Sequence, residues 1–234
     1  MPYESYQAAF RKQKIAEILD RYCHKNILEI GCGLESIFLL VASYASLTVV
    51  EPGELFYQKA RKDLRKAKNK NIKIIKSFIE DIIHQMTSEE FDFILVSSLL
   101  HEIPYQERFL KSLYKITTSD TVIHINVPNA NSFHRLLAVE MGLINSAFQK
   151  SDFNVKFQQH QIFSLESLTD LVEYSGFRVI ESGSFSFKPF THYQMQCLID
   201  TGILSDKMLD GFYKMEKYLP DMGSEIFVNI RKYN

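Results

Sequence analysis

The sequence lacks the patterns that mark several common chemistries. Its three cysteines, Cys23, Cys32 and Cys197, show no Cys-x-x-Cys spacing and leave one unpaired in any disulfide scheme. Its histidines form no His-Glu-x-x-His or Cys/His ligand pattern, so no metal is expected. There is no Gly-x-Ser-x-Gly turn, which argues against a serine hydrolase. No apolar run reaches the roughly eighteen residues of a membrane span; the best candidate, Ile37 to Val50, is interrupted by Ser43, Tyr44 and Ser46. A basic-then-apolar leader is also missing, so a cytoplasmic location is expected. The net charge of −1 supplies no field that would drive the chain onto nucleic acid or a membrane. Residues 59–76 do hold nine Lys or Arg against the single acid Asp63. Those charges surround the helix and the strand after it, which reads as a solvated face rather than an RNA site.

What is present points to an α/β fold. With 234 residues, 46% of them hydrophobic, the chain can bury one substantial core. Apolar periodicity predicts a helix over 3–22, then strand 26–31, helix 36–44, strand 47–51 and helix 54–68. Strand 72–76, a short turn at 80–85, strand 91–96, helix 105–116 and strand 121–127 follow. Helix 164–175, strand 177–187, a helical stretch over 190–219 and a last strand over 225–231 complete the chain. Such alternation argues for a Rossmann-like, mostly parallel sheet with helices on both faces. There are no repeats, low-complexity tracts or obvious linkers, so residues 1–234 read as a single domain.

The most telling segment is Asn26 to Ser36, a short strand that carries Glu29 and opens into Gly31-Cys32-Gly33. Two glycines in alternate positions let the backbone turn sharply and come close to a ligand. In open α/β sheets nucleotides bind at such strand-to-helix junctions. The second strand ends in Glu51, twenty residues past Gly31, where an acid can accept hydrogen bonds from both hydroxyls of a ribose. The pairing points to an adenosine-containing cofactor. A dinucleotide fingerprint would place glycine at position 36, where this chain has Ser36. An acid at Glu29 would repel a pyrophosphate but suits a cationic ligand, such as the ammonium and sulfonium of S-adenosylmethionine.

These residues resemble the Glu/Asp-x-Gly-x-Gly-x-Gly motif of the seven-stranded (class I) S-adenosylmethionine-dependent methyltransferases. Its third glycine falls on Glu35, a departure from the pattern. Phe91 to Pro104, with Leu-His-Glu-Ile after an apolar strand, resembles the fourth-strand motif of small-molecule methyltransferases. The resemblance covers about residues 26–127. It implies that Glu29, Gly31, Cys32, Gly33, Glu51 and Ser97 line S-adenosyl-L-methionine. It also implies that Glu80 and the amide of Ile79 meet the adenine. The plainer reading of Glu80 is a favourable charge at a helix start. It further implies a seven-stranded sheet with an antiparallel last strand, here preceded by the helical insertion 190–219. That insertion suits either a cover over the substrate side or a contact between two copies of the chain.

For the acceptor, His101 follows the fourth strand and can serve as general base, because an imidazole accepts a proton near neutral pH. Alternatively it orients a loop or touches the cofactor. His134, Arg135 and His160 lie in segment 126–190, which resembles methyltransferases found with bacterial surface-polysaccharide genes. There His134 and His160 are further candidates for the base, and Arg135 can hold a phosphate or carboxylate. Surface or helix-capping roles fit these three equally. The reading is methyl transfer to an oxygen or nitrogen of a small molecule or glycan precursor. Two rivals stay open: a catalytically silent S-adenosylmethionine-binding module acting through a partner, and a nicotinamide-dependent oxidoreductase, which Glu29 and Ser36 oppose.

Overall fold

The computed structural model describes residues 2–87, 90–150 and 159–233. Residues 151–158 of segment 126–190 therefore lie outside the described residues. The strands are β1 (Asn26–Ile30), β2 (Ser46–Val50), β3 (Ile72–Ile75), β4 (Phe93–Ser97), β5 (Val122–Pro128), β6 (Phe177–Phe185) and β7 (Glu225–Lys232). They form one sheet in the order β3-β2-β1-β4-β5-β7-β6. The first five run parallel, and β7 inserts antiparallel between β5 and β6. Strand order reverses between β1 and β4, which opens a crevice at their carboxyl ends. The Rossmann-like sheet and its antiparallel end are those expected from the sequence.

Helices α1 (Tyr3–Leu19), α2 (Glu54–Asp63), α3 (Ile79–Ile82), α4 (Gln106–Tyr114), α5 (Phe133–Glu140), α6 (Leu165–Tyr174), α7 (His192–Asp200) and α8 (Asp206–Tyr213) surround the sheet. Alternation along each strand gives the sheet two different faces. One is apolar throughout: Leu28, Ile94, Val96, Ile123, Ile125, Val127, Val228 and Ile230 pack with Phe109 and Leu113 of α4 and Leu168 of α6. The other packs Ile27, Phe93, Leu95, Val122 and Phe227 against α1, α7 and α8. In the same alternation, Ser97, His124, Asn126 and Glu225 continue that second face toward the carboxyl ends of β4 and β5. The second face is therefore apolar at one end and polar at the other.

Helix α1 rests on the helical insertion. Phe10 stacks on Tyr213 with ring centroids 5.1 Å apart, and the Tyr213 hydroxyl donates to Glu17 at 3.0 Å. The amide of Tyr3 donates to Gln196 Oε1 at 2.7 Å. Lys14, though buried, is neutralised by Glu216 at 2.9 Å. The insertion is two helices rather than one stretch. Thr191 and Ser205 each accept a bond from a backbone N–H three residues on and so start α7 and α8.

The helix expected over 36–44 does not form; only a 3₁₀ turn over Ile37–Leu39 does. The apolar residues there are continuous rather than spaced for one helical face. Ile37 and Phe38 enter the core while Leu40 is exposed. The Glu29 carboxylate also takes the Ile37 N–H at 2.9 Å, which fixes the start of the turn. Conversely α5 was not foreseen, because its polar first turn obscures the helical period.

Candidate active site

The glycine turn leaves β1 with Gly31 at φ +74° and Gly33 at φ +52°. Both lie in the left-handed region, where a side chain is strained. A Cβ on Gly31 would come within 3.0 Å of Leu99, whereas one on Gly33 would meet nothing within 4 Å. Gly31 thus lets the turn close on the loop after β4, and Gly33 presents bare backbone to open space. Glu29 braces the turn from below. Its carboxylate accepts the Ser36 hydroxyl and the Ile37 N–H. Burial pushes this carboxyl up to about 7, against the pull of those two hydrogen bonds and with the repulsion of Glu51.

Glu51 is also buried, and it ties two loops together. One oxygen accepts the Cys32 N–H at 3.0 Å and the other the Gly53 N–H at 2.8 Å. A Cβ on Gly53 would stand 2.9 Å from the carboxylate, so this position favours glycine. Around the turn, Leu34, Leu55 and Phe78 remain mostly exposed. Ile79 is buried at the start of α3 and Glu80 is half-buried beside it.

The end of β4 continues the crevice. Ser98 has φ +52°, an uncommon conformation for a residue with a side chain, held by its N–H to the carbonyl of Asn126 at 2.9 Å. His101 follows on a 3₁₀ turn and is buried. Its Nε2 lies 3.8 Å from Glu102 Oε1, and Glu102 feels the charge of Glu51. Burial pushes the His101 imidazole down to about 4, with Glu225 opposing and Arg11 reinforcing that shift. His101 therefore stands between the acids of the glycine turn and a second polar cluster, and it is neutral at pH 7.

That second cluster forms beneath α1, where β5 and β6 end and β7 begins. Glu225 receives Arg11 Nε at 2.9 and 3.1 Å and Nη2 at 2.5 Å. It also accepts Asn126 Nδ2 at 2.7 Å. Among the described residues, six of the nine buried side-chain polar atoms without a hydrogen-bond partner belong to this end of the sheet: His101 Nδ1, Asn126 Oδ1, Ser132 Oγ, His134 Nδ1, Ser186 Oγ and Ser224 Oγ. Buried polar groups are ordinarily paired, so such a concentration marks a place built for a ligand. His134 is held neutral, down to about 2, by burial and then by Lys188 and Arg135. Arg135 donates to the carbonyls of Ala147 at 2.8 Å and Gln149 at 2.6 Å. The His160 side chain is exposed, although its N–H donates to the carbonyl of His101 at 2.8 Å.

Comparison with known proteins fits this arrangement. Residues 3–182 match the family model described as a methyltransferase domain. The chain belongs to this methyltransferase family. Solved structures agree in fold. An S-adenosylmethionine-dependent methyltransferase of Thermotoga maritima, described as a possible histamine N-methyltransferase, superposes with TM-score 0.64 at 19% identity, over 97% of this chain and 91% of that one. One from Archaeoglobus fulgidus gives 0.59 at 18%, over 99% of both chains. The plantazolicin methyltransferase BamL, solved with a triazolic desmethylPZN analog and S-adenosylhomocysteine, gives 0.63 at 17%, over 99% and 88%. The sequence has no match among curated proteins.

The cofactor that goes with this family and fold is S-adenosylmethionine. The residues present fit it: an open approach at Gly33, a buried acid at the end of β2, and exposed apolar side chains around both. Two surface hollows are present on the methyltransferase, and Glu80 lines one of them. One of about 630 Å³ is lined by Glu80, Tyr105, Arg108 and Leu171, and one of about 520 Å³ by Asn26, Ser46 and Asn71. Neither is lined by the glycine turn, Glu51 or Glu225. Sequence reasoning missed Arg11, Gly53, Lys188 and Glu225. Two of them carried a signal: Lys188 stands in Lys188-Pro189-Phe190, which adds to the resemblance to methyltransferases of polysaccharide gene clusters, and Glu225 is a lone acid opening the last strand. Among the described residues no three His, Cys, Asp or Glu groups gather in a way that could hold a metal, and no helix is long and apolar enough to cross a membrane.

Proposed function

We propose that this methyltransferase acts on an oxygen or nitrogen of a small molecule or glycan precursor, held beneath α1 and the helical insertion. The observation that carries this reading is the cluster of unpartnered buried polar atoms at the carboxyl ends of β4 and β5, beside the glycine turn. The fold neighbour BamL was solved with a triazolic desmethylPZN analog beside S-adenosylhomocysteine, which supports a small-molecule acceptor. A glycan precursor follows from the resemblance of segment 126–190 to methyltransferases of polysaccharide gene clusters.

When bound, S-adenosylmethionine supplies an activated methyl group on a sulfonium. The work left to the chain is binding, alignment and proton removal, and alignment alone can supply roughly 7–11 kcal/mol. In this reading Glu51 accepts the ribose hydroxyls with lone pairs left free by Cys32 and Gly53. Gly33, with Gly31 and Cys32, lets backbone approach the methionine part, and Ile79 and Glu80 meet the adenine. Glu29 holds the turn and lends it negative charge, and Ser97 lines the floor. His101 is the base for a hydroxyl acceptor: burial keeps it neutral at pH 7, and Glu225 nearby partly offsets the burial and the Arg11 charge that oppose the imidazolium. His134 is the next candidate. His160, whose backbone alone is tied to His101, is the third.

A mass-spectrometric screen for a 14-dalton gain, over pools of hydroxyl and amine compounds, identifies the acceptor. With it, His101→Asn is expected to lower kcat by about 10²-fold or more while affinity for S-adenosylhomocysteine stays near wild type. Unchanged turnover would assign the base elsewhere. A parallel loss of cofactor affinity would move His101 to the cofactor side.

A further inference from the structure

Lys188 is a nearly buried cation whose ammonium no described residue meets in a hydrogen bond or ion pair. The residue is only 8% exposed. Its position is fixed. Ser186, at φ +62°, turns the chain out of β6. Phe187 then packs against Phe133 of α5, with centroids 5.1 Å apart, and Phe212 of α8 at 6.0 Å. Because Phe133 precedes His134, the Phe133–Phe187 contact sets His134 and Lys188 side by side. The Lys188 charge is felt by His134 and by His192 at the start of α7, and it feels Glu225 and Arg135. Burial pushes the ammonium down to about 8, with Glu225 pulling it up and Arg135 pushing it further down.

The charges around it do not balance. Glu225 is already matched by Arg11, which holds it with two nitrogens. Arg135 donates to carbonyls, which carry no compensating charge. Among the described residues, Arg135 and Lys188 therefore remain as nearly buried or half-buried positive charge with no acid hydrogen-bonded to them, an arrangement that an anionic ligand would relieve. The neighbouring unpartnered hydroxyls of Ser132, Ser186 and Ser224 add donors of the kind an anion accepts.

We propose that the acceptor carries an anionic group, a carboxylate or a phosphate, and that Lys188 beside His134 holds it. This rests on the acceptor lying at this end of the sheet, as argued above. The group would anchor the molecule from the α5 side while its reacting oxygen or nitrogen faces His101. A neutral molecule of the same shape would leave the Lys188 charge unmatched, so the site selects against it.

The test is calorimetric titration of inorganic phosphate and of acetate, with and without saturating S-adenosylhomocysteine, into wild type and variants. One of the two anions is expected to saturate a single site, and which one does so separates a phosphate-bearing acceptor from a carboxylic acid. Lys188→Met should weaken that binding at least about tenfold, as removal of a charged hydrogen-bond donor does. Lys188→Arg, which keeps the charge, should largely retain it. Unchanged affinity for S-adenosylhomocysteine in both variants shows that they fold. Lack of saturation by either anion in wild type, or undiminished binding in Lys188→Met, overturns the inference. The two readings fail separately. Absence of anion binding in wild type that still binds S-adenosylhomocysteine condemns only the anion subsite. Failure of S-adenosylhomocysteine itself condemns the cofactor reading, and the titration without it still decides the role of Lys188.

Discussion

Glu29 and Glu51 sit at equivalent ends of neighbouring strands, yet their surroundings give them different work. Glu51 is satisfied by two backbone amides. Glu29 accepts one amide and one hydroxyl and is pushed up to about 7, chiefly by burial. The folded chain thus keeps a proton on Glu29 that the unfolded chain releases near the ordinary carboxylate value of 4.5. Between those values the folded state binds more protons, so the contribution of Glu29 to stability falls as pH rises. A ligand ammonium near the turn reverses the balance by favouring the ionised carboxyl. Affinity for S-adenosylhomocysteine is therefore expected to rise from about pH 6 to about pH 8, by up to about tenfold. His101 and His134 contribute nothing to this slope, since both are already neutral there. Calorimetry across that range checks the expectation, and Glu29→Gln should flatten the profile. A wild-type profile as flat as that of the variant would assign Glu29 to bracing alone. These residues were legible in the sequence because their spacing is local: acid, glycine, glycine, then acid at the next strand end. Gly53 and Leu99 were not, because what they do depends on contacts across the fold.

At the level of elements, strands and long amphipathic helices followed from periodicity, and the departures have local causes. The 36–44 segment is held in a 3₁₀ turn by a carboxylate from the previous strand, a contact that no period reveals. The 190–219 stretch splits at Gly202, which takes φ +73°. Its buried apolar residues, Met195, Leu204, Leu209 and Tyr213, join the core beneath α1, while Tyr193 and Ile203 are exposed. Met195 is fully buried, so Met195→Ala should cost about 2–5 kcal/mol of stability in urea unfolding. Affinity for S-adenosylhomocysteine should be little changed, because the glycine turn and Glu51 lie on other elements. A loss below about 0.5 kcal/mol would mean that the insertion is only loosely docked on α1.

Across the whole molecule, one face of the sheet is apolar over β1, β4, β5 and β7, while the other turns polar toward the carboxyl ends of β4 and β5. The residues that make it polar come from distant parts of the chain: Arg11 and Glu225 are 214 positions apart. No motif joins them, and Lys188 gains its meaning only when Phe133 and Phe187 bring α5 and the end of β6 together. The cofactor half of the site could therefore be read from sequence, and most of the acceptor half could not. The central claim is that the two halves meet at His101. A crystal structure with S-adenosylhomocysteine tests this most directly and needs no knowledge of the acceptor. The account predicts the ribose hydroxyls on Glu51, the adenine beside Ile79 and Glu80, and the sulfur facing His101, Asn126 and Glu225. Ligand at the amino ends of β1–β3, or a sulfur turned away from that polar cluster, would contradict it.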